Sequence, residues 1–340
     1  MATTAAPALL TLDAFTDAAA RIRGVALHTP LIRMFIPGFD AAEVYVKAEG
    51  LQPIGAFKIR GAYNKVAQLT PEERSRGVIT YSSGNHAQGV AYAARVVGTK
   101  AVIVMPANAP EVKKRATAAL GAEIMEVGPA SSDRLRKAQE LSAAHGYVMI
   151  PPYDDDQIIA GQGTCGLEIL EDLPDADLVL APVSGGGLLS GIAGAIKQAS
   201  PPDRPLPRVI GVEPELAADA QESFRSHQLV TWPADMTTRT ICDGLRTQSL
   251  GERNFEHVRA YVDDIITVSD AEVRAAMRTL LYSARLTAEP SGACAAAGLL
   301  FHREQLLPFN KAVIVLSGSN VEPEVLRAVL AEQDPAMTPA

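Results

Sequence analysis

Short runs rich in Val and Ile recur along this chain, and most neighbouring pairs are separated by one segment long enough for a helix. They are "VYVK" from 44, "GVITYS" from 77, "KAVIVMP" from 100, "AEIMEV" from 122, "YVMIP" from 147, "DLVLAPV" from 177, "RVIGVEP" from 208, "DIITVS" from 264 and "AVIVLSG" from 312. This alternation builds βαβ units and parallel sheets buried on both faces, so the fold class is α/β with open sheets. Between 77 and 152 the runs are evenly spaced, with Gly98, Gly121 and Gly146 at the intervening helix ends, where glycine closes a helix in the left-handed conformation. The pattern predicts a small inserted α/β domain, 73–152, and a larger discontinuous one from 1–72 and 153–340. Ligands of such proteins bind in the cleft between bodies.

With 47% hydrophobic residues among 340, the chain has ample apolar side chains for such cores. The net charge of -8 comes from interspersed signs, which gives no footprint for nucleic acid or an anionic membrane. Cys165, Cys242 and Cys294 stand far apart, and neither they nor the histidines show metal-ligand or redox spacing. The N-terminus does not read as a signal peptide, and no apolar window reaches the roughly 18 residues of a membrane helix. A cytoplasmic protein acting on small molecules is expected.

Four segments carry chemistry. "GAFKIRGAYN", 55–64, sets Lys58 between Phe57 and Ile59. An exposed lysine would only snorkel, whereas an enclosed amine loses proton affinity and becomes a nucleophile toward a carbonyl. "YSSGNHAQG", 81–89, ends a strand and opens a helix; it is either an ordinary cap or an anion site for a carboxylate. "APVSGGGLLSG", 181–191, puts three glycines where backbone amides can wrap a phosphate. A dinucleotide fits less well, because Ser190 stands where the third glycine of that fingerprint belongs, although Glu213 could imitate its ribose-binding acid. "VIVLSGSN", 313–320, ends a strand on Ser317, whose hydroxyl could meet a heterocyclic nitrogen. A carbonyl, one phosphate and a ring nitrogen together describe pyridoxal 5'-phosphate.

In this order the four segments resemble the fold type II pyridoxal-phosphate enzymes of the threonine/serine dehydratase and serine racemase family. The likeness spans roughly residues 20–325 and rests on the motifs jointly. It implies that Lys58 carries the cofactor as a Schiff base, Phe57 flanks the ring and Asn85 bonds its phenolic oxygen. Ser184, Gly185, Gly186, Gly187 and Leu188 would hold the phosphate, and Ser317 would face the ring nitrogen. Ser184 and Ser319 stand where relatives often have glycine, and neither change removes an amide. The substrate carboxylate would dock on Ser82, Ser83, Gly84, Asn85 and His86.

The resemblance implies dehydration of a β-hydroxy amino acid such as L-threonine or L-serine to a 2-keto acid and ammonia. Serine racemases share the motifs, with Ser83 where they protonate the opposite face of Cα. A 3-hydroxyaspartate substrate would need a further cation, for which Arg134 and Arg246 are candidates. A non-catalytic cofactor or nucleotide carrier would keep the glycines without needing Lys58. "GVEPELAADAQES", 211–223, places Glu213, the Ala217 carbonyl and Asp219 as an oxygen cluster for Mg2+, Mn2+ or Ca2+, or merely as helix-capping charge; in relatives this spacing holds a divalent cation. A chain ending soon after "EPEVLRAVLAEQ" is expected to lack the regulatory domain of biosynthetic threonine dehydratases. A homodimer or homotetramer is expected.

Overall fold

The computed structural model describes residues 8–36, 38–39, 42–82, 84–109, 111–128 and 131–332. Its ten strands are β1 (Leu31–Met34), β2 (Glu43–Ala48), β3 (Val78–Tyr81), β4 (Ala101–Pro106), β5 (Glu123–Val127), β6 (Val148–Met149), β7 (Leu178–Pro182), β8 (Arg208–Pro214), β9 (Asp264–Val268) and β10 (Lys311–Leu316). They form a six-stranded sheet ordered β1-β2-β10-β7-β8-β9 and a four-stranded sheet ordered β5-β4-β3-β6. Pairing is parallel except at the edge, where β1 runs antiparallel to β2. β1, "LIRM", is the strand that periodicity missed: four residues are too few to show it.

Alternating side chains of the larger sheet feed two cores. Leu178, Leu180, Ile314 and Leu316 pack into one cluster, and Val179, Ala181, Val313 and Val315 into the other. Both faces are therefore covered, as a parallel sheet requires. Gly98, Gly121 and Gly146 adopt φ of 76°, 91° and 71°, the left-handed conformation expected of helix ends.

The four strands of the smaller sheet all lie between residues 78 and 149. Its core also draws on chain outside that stretch. Ala62 and Val66 of the helix Ile59–Val66, and Ile158 of the helix Asp156–Asp172, pack with Val78, Ile103 and Met105. The two helices that flank the insert in sequence thus join the two sheets.

Candidate active site

β10 and β7 are neighbours, with the earlier strand β2 beyond one and the later strand β8 beyond the other. Such a reversal opens a crevice past the carboxyl ends of the strands. Ser317, 4% exposed, follows β10 directly. Its carbonyl accepts from the Phe57 amide at 3.0 Å, and Ala56 pairs with Gly318 as an isolated bridge. The lysine loop is thereby stitched to the strand that presents Ser317.

Lys58 caps the start of the helix Ile59–Val66. Its Nζ donates to the Pro152 carbonyl at 2.7 Å and stands 5.1 Å from the centre of the Phe57 ring. Burial pushes this amine down to about 8, because the low-dielectric surroundings disfavour its charged form. Part of it is therefore neutral near physiological pH, and the neutral amine is both nucleophile and base.

In the loop after β3, the Ser82 hydroxyl accepts from the Gly84 amide at 3.4 Å; Ser83 lies outside the described residues. Asn85 opens the helix Asn85–Val97, whose first amides have no partner within the helix. Asn85 Nδ2 donates to Glu289 Oε1 at 2.6 Å, and its Oδ1 accepts from Asn320 Nδ2 at 2.8 Å. The side-chain amide is so oriented that one Nδ2 hydrogen is still available to a ligand. His86 is buried with Nε2 3.0 Å from the Ile150 carbonyl. Desolvation, then the charge on Lys58, push it down to about 3, so it serves as a neutral packing group.

After β7 the chain turns through Ser184 at φ 56° and Gly186 at φ 92° into the helix Gly187–Ala199. The Gly186 amide closes this turn by donating to the Val183 carbonyl at 3.2 Å, so Gly186 contributes shape more than a free donor. Ser184 Oγ reaches the Gly244 carbonyl at 3.1 Å and Thr247 Oγ1 at 3.3 Å. A Cβ on Gly185 would lie 2.4 Å from the Tyr153 ring, and one on Gly187 would lie 3.1 Å from Tyr153 Cβ. The backbone is bare by necessity, and at the start of a 13-residue helix it suits an anion. These residues fit a pyridoxal phosphate: amides for the phosphate, an enclosed amine for the aldehyde, an oriented side-chain amide and a hydroxyl for the ring.

Glu213 is the last residue but one of β8, at 1% exposure, and Asp219 opens the helix Asp219–Ser226 at 2%. Desolvation and the Asp219 charge push Glu213 well above the usual carboxylate range, and desolvation pushes Asp219 up to about 7. Glu213 Oε1 accepts from the Gln221 amide at 2.7 Å, while the buried Asp219 Oδ2 has no partner among the described residues. An unmatched buried carboxylate oxygen beside a second carboxylate fits a hard cation. No group of three or more His, Cys, Asp and Glu suited to a metal occurs among the described residues, so such a cation would need carbonyls or water too. Arg246 donates through Nε and Nη2 to the Thr240 carbonyl of its own loop. Arg134 lies half-buried on the helix Ser131–His145.

Sequence reasoning passed over Glu289, Asn320 and Tyr153. Glu289 is 7% exposed and is pushed up to about 7, first by desolvation and then by Asp243. Its signal was a lone acid before "PSGACAAAG", which reads equally well as a helix cap.

Residues 22–318 match the family described as "Pyridoxal-phosphate dependent enzyme". Over 308 residues the chain is 44% identical to the L-threo-3-hydroxyaspartate ammonia-lyase of Saccharomyces cerevisiae, covering 90% of this chain and 92% of that protein. It is 39% identical to the serine racemase of Schizosaccharomyces pombe, covering 93% and 96%. The solved threonine deaminase of T.th. superposes with a TM-score of 0.85 at 41% identity, covering 92% of this chain and 99% of that one. The chain belongs to the pyridoxal-phosphate dependent enzyme family.

Proposed function

We propose that this protein is an ammonia-lyase that dehydrates a β-hydroxy amino acid such as L-threonine or L-serine to a 2-keto acid and ammonia. The observation that carries the reading is the Lys58 amine, lowered to about 8 by burial and held on the carbonyl of Pro152, the residue next to the glycine turn's partner Tyr153. When bound, pyridoxal phosphate supplies a carbonyl for the substrate amine and a ring that draws electrons from Cα. The amides of Gly185, Gly187 and Leu188 would hold its phosphate, Asn85 would donate to its phenolic oxygen, and Ser317 would meet its ring nitrogen.

The loop 82–86 binds the substrate carboxylate and so orients the Cα–H bond. Neutral Lys58 removes that proton. A hydroxyl at Ser317 does not hold the ring nitrogen protonated as a carboxylate would, which favours prompt loss of the β-hydroxyl. Loss of H from Cα and OH from Cβ releases water. The resulting enamine tautomerises to an imine, and water hydrolyses it to keto acid and ammonia. The body formed by 73–152 acts as the small domain over this cleft. Glu213, the Ala217 carbonyl and Asp219 would hold a divalent cation, which would order the loop after β8.

The name of the Saccharomyces relative supports 3-hydroxyaspartate as a second substrate, with Arg134 and Arg246 as the candidate cations for its extra carboxylate. Racemisation would require Ser83 as the acid on the other face. The deciding experiment offers L-threonine, L-serine, D-serine and L-threo-3-hydroxyaspartate, and follows keto acid, ammonia and enantiomer together. Keto acid and ammonia in equal amounts from an L-hydroxy acid support the lyase. Inversion without keto acid rejects it.

A further inference from the structure

Two residues beyond Lys58 the helix carries Arg60, whose side chain is fully buried. Its Nε and Nη2 each donate at 2.7 Å to Glu49, while Nη1 and Nη2 donate at 2.6 and 2.7 Å to Glu168. Thr164 Oγ1 and the Leu27 carbonyl accept at 3.0 and 3.1 Å. Lys47, also fully buried, meets Glu168 at 2.7 Å and the part-exposed Asp172 at 3.8 Å, so the two buried cations face Glu49, Glu168 and, at the rim, Asp172. Arg60 thus clamps two carboxylates at once, a geometry that its planar fork can form and an ammonium cannot.

Glu168 and Thr164 both belong to the helix Asp156–Asp172. The same helix touches the lysine helix through backbone: a Cβ on Gly161 would lie 2.5 Å from Gly61 Cα. Two residues on, the helix meets the phosphate-loop helix just as closely, since a Cβ on Gly191 would lie 2.5 Å from the Gly163 amide nitrogen. Just before this helix, Pro152 accepts the Lys58 amine. One helix therefore spaces Lys58 from the phosphate amides. Asn64 and Lys65, further along the lysine helix, also reach across to the Gln157 carbonyl at 2.7 Å and to Asp155 at 2.6 Å; Arg60 adds, nearest to Lys58, the one link of this set that ties in the fully buried Glu49 as well.

We propose that Arg60 is a positioning residue: by gripping Glu49 and Glu168 it fixes the axial register of the lysine helix, and so holds Lys58 Nζ at the Pro152 carbonyl facing the phosphate turn. The proposal rests on the cofactor reading above. Burial is what lowers Lys58, and His86, whose own proton affinity the Lys58 charge helps to depress, stays neutral across the pH range of the test.

The test uses Arg60→Met combined with Glu49→Gln, which removes one buried cation and one anion together, and Arg60→Lys, which keeps the charge without the fork. Pyridoxine 5'-phosphate, which has the phosphate but no aldehyde, reports the cradle. Borohydride trapping of pyridoxal phosphate on Lys58 across pH reports the amine. Affinity for pyridoxine phosphate should stay within about threefold. Trapping near neutral pH should fall about tenfold and its midpoint should rise by about one unit toward an ordinary lysine, with Arg60→Lys intermediate. Unchanged trapping overturns the proposal, as does a parallel loss of both readouts, which would make Arg60 a general fold stabiliser. If the double variant does not fold, Arg60→Lys decides by the same criteria. A wild-type protein that binds pyridoxine phosphate but traps nothing on Lys58 sinks the cofactor reading, and the proposal with it.

Discussion

Asn85 Nδ2 and Glu289 Oε1, 204 residues apart in sequence, meet at 2.6 Å. The contact joins the start of the helix Asn85–Val97 to the chain just past the end of β10, because the Glu289 amide also donates to the Gly318 carbonyl at 3.1 Å. Glu289 shifts from 4.5 to about 7 in the folded protein. Between those values the folded state holds a proton that the unfolded chain has lost, so this contribution is full below pH 4.5 and is lost as pH rises through 7. Glu289→Gln should therefore flatten the pH dependence of stability. Urea unfolding of the cofactor-free protein at pH 5 and 8 should show wild type losing roughly 2–3 kcal/mol that the variant keeps. Parallel losses would refute the assignment.

Lys58 has the opposite sense. Its amine titrates at about 8 against 10.5 in the unfolded chain, so between these values the unfolded state binds the extra proton and stability rises with pH. Below 8 the penalty for enclosing the charge is fully present. Lys58→Met should make the cofactor-free protein more stable at pH 7 by about 1–3 kcal/mol. That advantage should shrink as pH approaches 10.5. A pH-independent difference in denaturant midpoint would contradict the buried amine.

The glycine turn and Tyr153 can be tested as a pair. Gly185→Ala drives a methyl into the Tyr153 ring, 2.4 Å from the ideal Cβ position. Affinity for pyridoxal phosphate should fall about a hundredfold, and adding Tyr153→Ala should recover part of it through the space released. Strictly additive losses would mean that the two residues do not share the cradle.

The βαβ rhythm was legible because buried parallel strands are apolar without interruption, and the turn after β7 because glycines there have a local reason. What escaped was set by distance along the chain. Nothing near Arg60 announces that Glu49 and Glu168 converge on it, and Glu289 looks like any acid before a proline. Tyr153 matters through the missing side chain of Gly185, a partner that no periodicity reveals. Asn85 and Ser317 could be picked out as ligand groups, yet the Asn320 and Glu289 bonds that orient Asn85 come only from folding.

Lys113, on the helix Glu111–Ala119 of the smaller sheet's side, reaches Asp243 across the cleft at 2.8 Å and Glu322 at 3.9 Å. A half-exposed pair of this kind contributes about 1 kcal/mol or less. Lys113→Met should raise KM a few-fold with little change in thermal stability, and should weaken the dependence of KM on salt. An unchanged KM and salt response would show that the pair does not help close the cleft.

Removal of divalent cations tests the Glu213 and Asp219 pair. EDTA should lower melting temperature and activity together, and Mg2+ or Ca2+ should restore both, whereas Glu213→Gln should be insensitive to either treatment. A metal-free preparation equal to the loaded one would return these carboxylates to helix capping.

Lys58 is the residue expected to carry the cofactor. Reduction of the pyridoxal-phosphate-loaded protein with borohydride, followed by peptide mapping, tests it directly. One stoichiometric label is expected, on Lys58 within residues 55–60. A label on another lysine, or a loaded protein with no reducible linkage, would contradict it.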